Sequence, residues 1–137
     1  MIDRREFLKT TAVAASALAV TSGSKAFAAE VVGSCQAGIV YTEKEQGQWE
    51  GKAASHAPKV TVADGNVSVV TKHPMNDAHF IVRHTLVLED GKVIGGKTFT
   101  LDDKPESGFD LPEGYKGKAY ATSFCNQHDL WVTEFTV

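Results

Sequence analysis

An all-β sandwich is the fold class that this sequence predicts. Short runs of alternating apolar and polar residues recur along the chain, and turn residues punctuate them. No stretch beyond residue 29 holds a 3.6-residue apolar period. The first two strands are Lys59-Val60-Thr61-Val62 and Val67-Ser68-Val69-Val70. Between them lies Ala63-Asp64-Gly65-Asn66, whose Asp-Gly pair marks a tight hairpin because both central residues accept positive φ. Residues 80–88 form a third β-rich run, which Glu89-Asp90-Gly91-Lys92 turns into Val93-Ile94. Residues 97–101 continue the pattern. Residues 118–124 and 130–137 are the last two strands, joined by Cys125-Asn126-Gln127-His128-Asp129. About seven strands result. Residues 102–117 hold Pro105, Gly108, Pro112 and Gly114 and read as a long surface loop. Residues 31–51, rich in Gly, Gln and Glu, read as an extended or irregular arm.

The N-terminus has another character. Asp3-Arg4-Arg5-Glu6-Phe7-Leu8-Lys9 precedes an apolar, alanine-rich stretch over residues 11–20, and Ala26-Phe27-Ala28 offers a small-x-small cleavage pattern. Residues 1–29 read as a twin-arginine export signal, and residues 30–137 as one small domain delivered to the periplasm. The apolar stretch is short for a spanning helix and contains Ser and Thr, which disfavours an uncleaved anchor. The 137-residue chain has 14 basic and 17 acidic residues. The segment through Ala29 carries Arg4, Arg5, Lys9 and Lys25 against Asp3 and Glu6, which leaves 10 basic and 15 acidic residues and a formal charge of −5. Such acidity argues against nucleic acid or an anionic membrane as partner and suits a small molecule or a redox protein.

The chemistry concentrates in one cysteine and four histidines. Cys125 precedes His128 by three residues, His73 and His79 lie six apart, and His56 stands upstream in Ser55-His56-Ala57-Pro58. One soft thiolate and four imidazoles suit a redox-active first-row metal, iron above all. A structural zinc site needs only four such groups, usually with more sulfur. A blue-copper site takes two His, one Cys and a weak axial Met that follows closely, but Asp129-Leu130-Trp131-Val132 follows His128 and Met75 lies far upstream. Cys-x-x-His is a compact chelate, in which the N–H groups of Asn126 and Gln127 are expected to point at the sulfur. His84 sits inside a strand run, matches no ligand spacing and reads as an ordinary hydrogen-bonded histidine. Two cysteines in an exported chain also allow a Cys35–Cys125 disulfide, which would remove Cys125 from any metal. The surrounding histidines favour Cys125 as a ligand and Cys35 as a lone thiol.

The segment His73-Pro74-Met75-Asn76-Asp77-Ala78-His79-Phe80-Ile81, followed by Cys125-Asn126-Gln127-His128-Asp129-Leu130-Trp131, resembles the superoxide reductase family. The likeness is to its short, single-iron form, neelaredoxin, and to the catalytic domain of desulfoferrodoxin. It runs from about Ala54 to the C-terminus. It implies an immunoglobulin-like β-sandwich holding one iron ion per chain, cycling between Fe2+ and Fe3+. The implied ligands are His56, His73, His79 and His128 in a plane and Cys125 on the axis. The implied activity is one-electron reduction of superoxide to hydrogen peroxide. An external donor, a small rubredoxin-like protein or a cytochrome, would restore the iron, and the resemblance implies a homo-oligomer. The family pattern places Glu-Lys directly before its first histidine ligand; here Ala54 and Ser55 stand there. Lys52 and Lys72 are the nearby lysines. Lys52 is the candidate for an electrostatic catalytic role, although each also reads as a surface lysine. Without that Glu the ferric site is expected to bind added anions more readily. The alternative function is an iron-containing electron carrier or a redox or nitric oxide sensor with the same site and weak turnover.

Overall fold

The computed structural model describes residues 38–137; the expected signal of residues 1–29 and Cys35 lie outside the described residues. Eight strands form two sheets, which bears out the all-β expectation. They are β1 (Val40–Tyr41), β2 (Lys59–Ala63), β3 (Asn66–Val70), β4 (Ile81–Leu88), β5 (Val93–Thr98), β6 (Glu106–Asp110), β7 (Lys118–Cys125) and β8 (Asp129–Thr136). A 3₁₀ turn, Gly47–Trp49, and a one-turn helix, α1 (Ala53–His56), lie between β1 and β2. One sheet has the order β1-β8-β7-β4-β5 and the other β2-β3-β6. All pairings are antiparallel except β1 with β8.

The core follows from side-chain alternation. Leu86 and Leu88 of β4, Ala119 and Ala121 of β7, Val67 and Val69 of β3 and Phe109 of β6 bury one common cluster between the sheets. Leu86 pairs across the ladder with Ala121, and Leu88 with Ala119, so large and small side chains interdigitate. The β2–β3 hairpin closes through Asp64 (φ 51°) and Gly65 (φ 76°), the left-handed pair that an Asp-Gly turn supplies.

Four features depart from the sequence reading. The expected loop over residues 102–117 contains β6, which pairs with β3 from Asn66↔Asp110 to Val70↔Glu106. Its Ser-Gly-Phe-Asp run has low strand propensity, but Phe109 is an anchor that the core needs. Second, Val93-Ile94 and residues 97–101 do not form separate strands: β5 runs unbroken through Gly95 and Gly96. A Cβ at Gly95 would stand 3.0 Å from the Phe109 ring, so the absent side chain makes room for that anchor. Third, the arm contributes β1 and the 3₁₀ turn, so the described residues hold eight strands rather than about seven. Fourth, α1 is one turn long, too short for an apolar period to show. Among the described residues, no helix is long and apolar enough to cross a membrane.

A register shift between Ile81 and Arg83 in the β4–β7 ladder inserts one extra residue. It turns both Ile81 and His84 inward although they lie three apart, and sets Ile81 opposite Cys125. His84 is fully buried and joins the sheets through hydroxyls: Nε2 lies 2.8 Å from Thr71 Oγ1 and Nδ1 2.9 Å from Ser107 Oγ. Thr71 donates onward to Ser123 Oγ at 2.9 Å, so Nε2 carries the ring proton and Ser107 donates to Nδ1.

Burial, with a smaller effect from the Lys97 charge, pushes the His84 pKa from 6.5 down to about 4. Between those values the unfolded chain takes up a proton that the folded chain refuses. Stability from this group is therefore full above pH 6.5, falls as pH drops and levels off below about 4. Urea titrations of metal-free protein are expected to show His84→Gln with a stability–pH slope shallower than the parent's by about one proton across that window. Equal slopes would show that His84 is not buried neutral. Leu86→Ala is expected to cost about 2–5 kcal/mol, read by the same titration at pH 7.

Candidate metal centre

Three separate pieces of chain carry the five candidate ligands to one place. His56 ends α1, where Ala57 turns extended before Pro58, which cannot continue a helix. His73 and His79 occupy the loop between β3 and β4. Cys125 closes β7 and His128 precedes β8, so both lie in a tight hairpin turn. Asp129 takes φ 62° to start the return strand. His56, His73 and Cys125 are buried, whereas His79 and His128 are half-buried and face solvent in part.

The atoms that converge are Nε2 of His56, His73 and His79, Nδ1 of His128 and Sγ of Cys125. His128 Nδ1 lies 3.1 Å from His56 Nε2 and 2.8 Å from His79 Nε2. His79 Nε2 lies 3.0 Å from His73 Nε2. Sγ of Cys125 stands 3.6 Å from His128 Nδ1 and 3.9 Å from His73 Nε2. Donor atoms of His56, His79, Cys125 and His128 all lie within 4.8 Å of one another, and His73 adjoins that group through His79 and Cys125.

Proton placement shows what this cluster can accept. His56 Nδ1 faces the Lys52 carbonyl at 3.1 Å and the Ser55 hydroxyl at 2.8 Å. His73 Nδ1 faces the Pro74 carbonyl. Carbonyls only accept, so both Nδ1 atoms carry hydrogen and both Nε2 atoms present bare lone pairs. Three close nitrogen contacts then share at most two protons, from His79 and His128. Whichever way these are placed, at least one contact sets two lone pairs or two N–H groups face to face. A cation at the centre of the cluster removes the conflict, because it takes lone pairs from every nitrogen at once. Burial holds His56 down at about pKa 4 and lowers His73 and His128, so these rings are neutral at pH 7 and need not lose a proton to bind a metal. The residues present therefore fit a thiolate-and-imidazole metal site.

The surroundings differ in part from the sequence reading. Cys125 is a free cysteine, as a ligand must be. The sulfur receives the N–H of His128 at 3.4 Å, whereas the N–H of Asn126 goes to the Phe80 carbonyl at 3.1 Å. Met75 packs beside Cys125, Ile81 and Phe99, and its sulfur accepts the Ile81 N–H, so it occupies no axial copper position. Five donors also exceed what a four-coordinate zinc or blue-copper site requires. His84 stands apart in its hydroxyl network. Lys52 lends its carbonyl to His56, and its charge helps to lower the His128 pKa. Trp49 was not foreseen. Its ring meets His128 edge-on at 4.6 Å between centroids, and its indole N–H donates to Asp129 Oδ2 at 3.0 Å. Only the aromatic itself, in a polar arm, could have signalled it.

Residues 46–134 match the Desulfoferrodoxin family, and the chain belongs to that family. The superoxide reductase of Pyrococcus abyssi is 30% identical, with 66% of this chain and 91% of the relative covered. A solved single-site variant of the superoxide reductase (neelaredoxin) of Ignicoccus hospitalis is 27% identical with a TM-score of 0.66, covering 76% of this chain and 97% of that one. The superoxide reductase of Treponema pallidum is 28% identical with a TM-score of 0.52, covering 61% of this chain and 69% of that one.

Cobalt(II) titration of metal-free protein separates the cluster from the fifth histidine. His79→Ala is expected to weaken binding by at least tenfold, and His84→Gln to leave it within about twofold. The opposite ranking would place the metal elsewhere.

Proposed function

We propose that this protein is a superoxide reductase that converts superoxide to hydrogen peroxide by one-electron reduction. The observation that carries this reading is the convergence of four imidazole nitrogens and one cysteine sulfur in a chain of the Desulfoferrodoxin family. Nε2 of His56, His73 and His79, Nδ1 of His128 and Sγ of Cys125 would hold one iron ion per chain. Iron held there would supply the electron that superoxide takes.

The chain's own groups arrange the rest. The Lys52 and Pro74 carbonyls keep the lone pairs of His56 and His73 aimed inward. The N–H of His128 stabilises negative charge on the Cys125 sulfur. Half-buried His79 and His128 mark the side from which a small anion and protons reach the cluster. Each superoxide takes one electron and two protons and leaves as one hydrogen peroxide, without release of dioxygen. Lys52, whose charge helps to lower the His128 pKa, takes the steering role that Ala54 and Ser55, directly before His56, cannot fill. A small electron-donor protein, rubredoxin-like or a cytochrome, returns the electron. Self-association suits a domain this small, and the twin-arginine pattern in residues 1–29 supports export to the periplasm. The absence of an adjacent Glu-Lys pair is the specific feature that favours the second reading, a slow carrier or sensor.

Pulse radiolysis of ferrous protein distinguishes the two. Superoxide is expected to disappear with close to one peroxide formed per superoxide and with growth of a visible sulfur-to-ferric band. Slow consumption with the same band would favour the carrier or sensor. Lys52→Ala is expected to lower the rate at least severalfold at low salt and to flatten its ionic-strength dependence.

A further inference from the structure

The ligand-bearing segments belong to different parts of the chain, so something must register them before a metal arrives. Among the described residues, Asn126 makes contacts suited to that task. Its Nδ2 donates to the Ala78 carbonyl at 3.0 Å, and its Oδ1 accepts the Phe80 N–H at 2.9 Å. Its own N–H donates to the Phe80 carbonyl at 3.1 Å. Ala78 and Phe80 are the two neighbours of His79. One carboxamide therefore grips the backbone on both sides of His79, from a position adjacent to Cys125. Gln127 adds a second amide to the same Ala78 carbonyl.

The loop is also closed upon itself. Asn76 Oδ1 accepts the N–H groups of Ala78 and His79 at 3.2 and 3.0 Å, and Asn76 and His79 exchange backbone bonds. A loop so closed moves as a body, and the Asn126 grip decides where that body sits against the Cys125 turn. We infer that Asn126 is a positioning residue, which fixes His79 against the Cys125–His128 turn and so sets metal affinity through His79. This rests on the reading of His79 as a metal ligand. The geometry divides the Cys-x-x-His motif by role: its outer residues face the cluster, and its inner two hold the neighbouring loop.

The chemistry of the grip dictates the variants. Asn126→Ala removes both side-chain bonds and leaves the backbone bond. Asn126→Asp keeps the acceptor for the Phe80 N–H but cannot donate to Ala78, and it sets a carboxylate against that carbonyl. Both variants, with His79→Ala as reference, would be titrated with cobalt(II) against a competing chelator. Histidine ring resonances of the metal-free proteins would be recorded beside them. Asn126→Ala is expected to lose roughly 10- to 100-fold in cobalt affinity, with the His79 ring signals shifted or broadened and those of His56 unmoved. Asn126→Asp is expected to lose at least as much. Parent-like affinity and parent-like His79 signals in Asn126→Ala, while His79→Ala binds weakly, would overturn the positioning role alone. Parent-like affinity in His79→Ala would overturn both that role and the ligand reading beneath it. Equal disturbance of His56 and His79 would show general loosening of the fold and would also overturn the inference.

Discussion

Four ring nitrogens crowd together with too few protons to go round, and the architecture of this end of the molecule answers to that constraint. His56 and His73 spend their ring hydrogens on backbone carbonyls, which leaves bare lone pairs aimed at His128 and His79. Neutral imidazoles at these distances cannot all satisfy one another. A metal ion can satisfy them together, and the Cys125 sulfur beside them offers it a thiolate. The same burial that lowers the His56, His73 and His128 pKa values keeps these lone pairs ready at neutral pH.

The sandwich supplies rigidity where the ligands need it. Cys125 and His128 sit at the turn between two eight-residue strands, so their separation is fixed by a hairpin. One inserted residue in β4 places Ile81 against Cys125 and leaves His84 inside, where the hydroxyls of Thr71, just past β3, and Ser107 of β6 hold it. On the other side, Trp131 packs with Tyr41, Ala53 and Ala57 under α1, and its ring lies 5.7 Å from His56. Apolar packing thus backs the buried ligands, while His79 and His128 keep partial access to solvent. Coupling between stability and metal binding follows, because an ion that binds only the folded arrangement stabilises it by mass action.

Much of this was legible in the chain itself. Asp64-Gly65 marked its hairpin, and the alternation in residues 80–88 and 118–124 marked two of the three interior strands of the larger sheet. The five candidate ligands stood out through chemistry that few other functions require, and the fold brings all five together. What stayed hidden depends on tertiary partners. β6 is a strand because β3 offers it a ladder and the core accepts Phe109, not because Ser-Gly-Phe-Asp prefers extension. Gly95 and Gly96 look like a break until the Phe109 ring is seen above Gly95. The backbone N–H of Asn126, expected at the sulfur, goes instead to the Phe80 carbonyl, and only the loop across the turn reveals that the Asn126 and Gln127 carboxamides hold Ala78. Trp49 gave no periodic signal because its arm has none.

The coordination shell itself is the most direct test. X-ray absorption of iron-loaded protein at the iron edge counts sulfur and nitrogen neighbours without reference to turnover. One sulfur and about four imidazole nitrogens around a single iron per chain is the predicted result. An iron without sulfur in its first shell, or with two or fewer imidazoles, would contradict the assignment of Cys125, His56, His73, His79 and His128 to one centre.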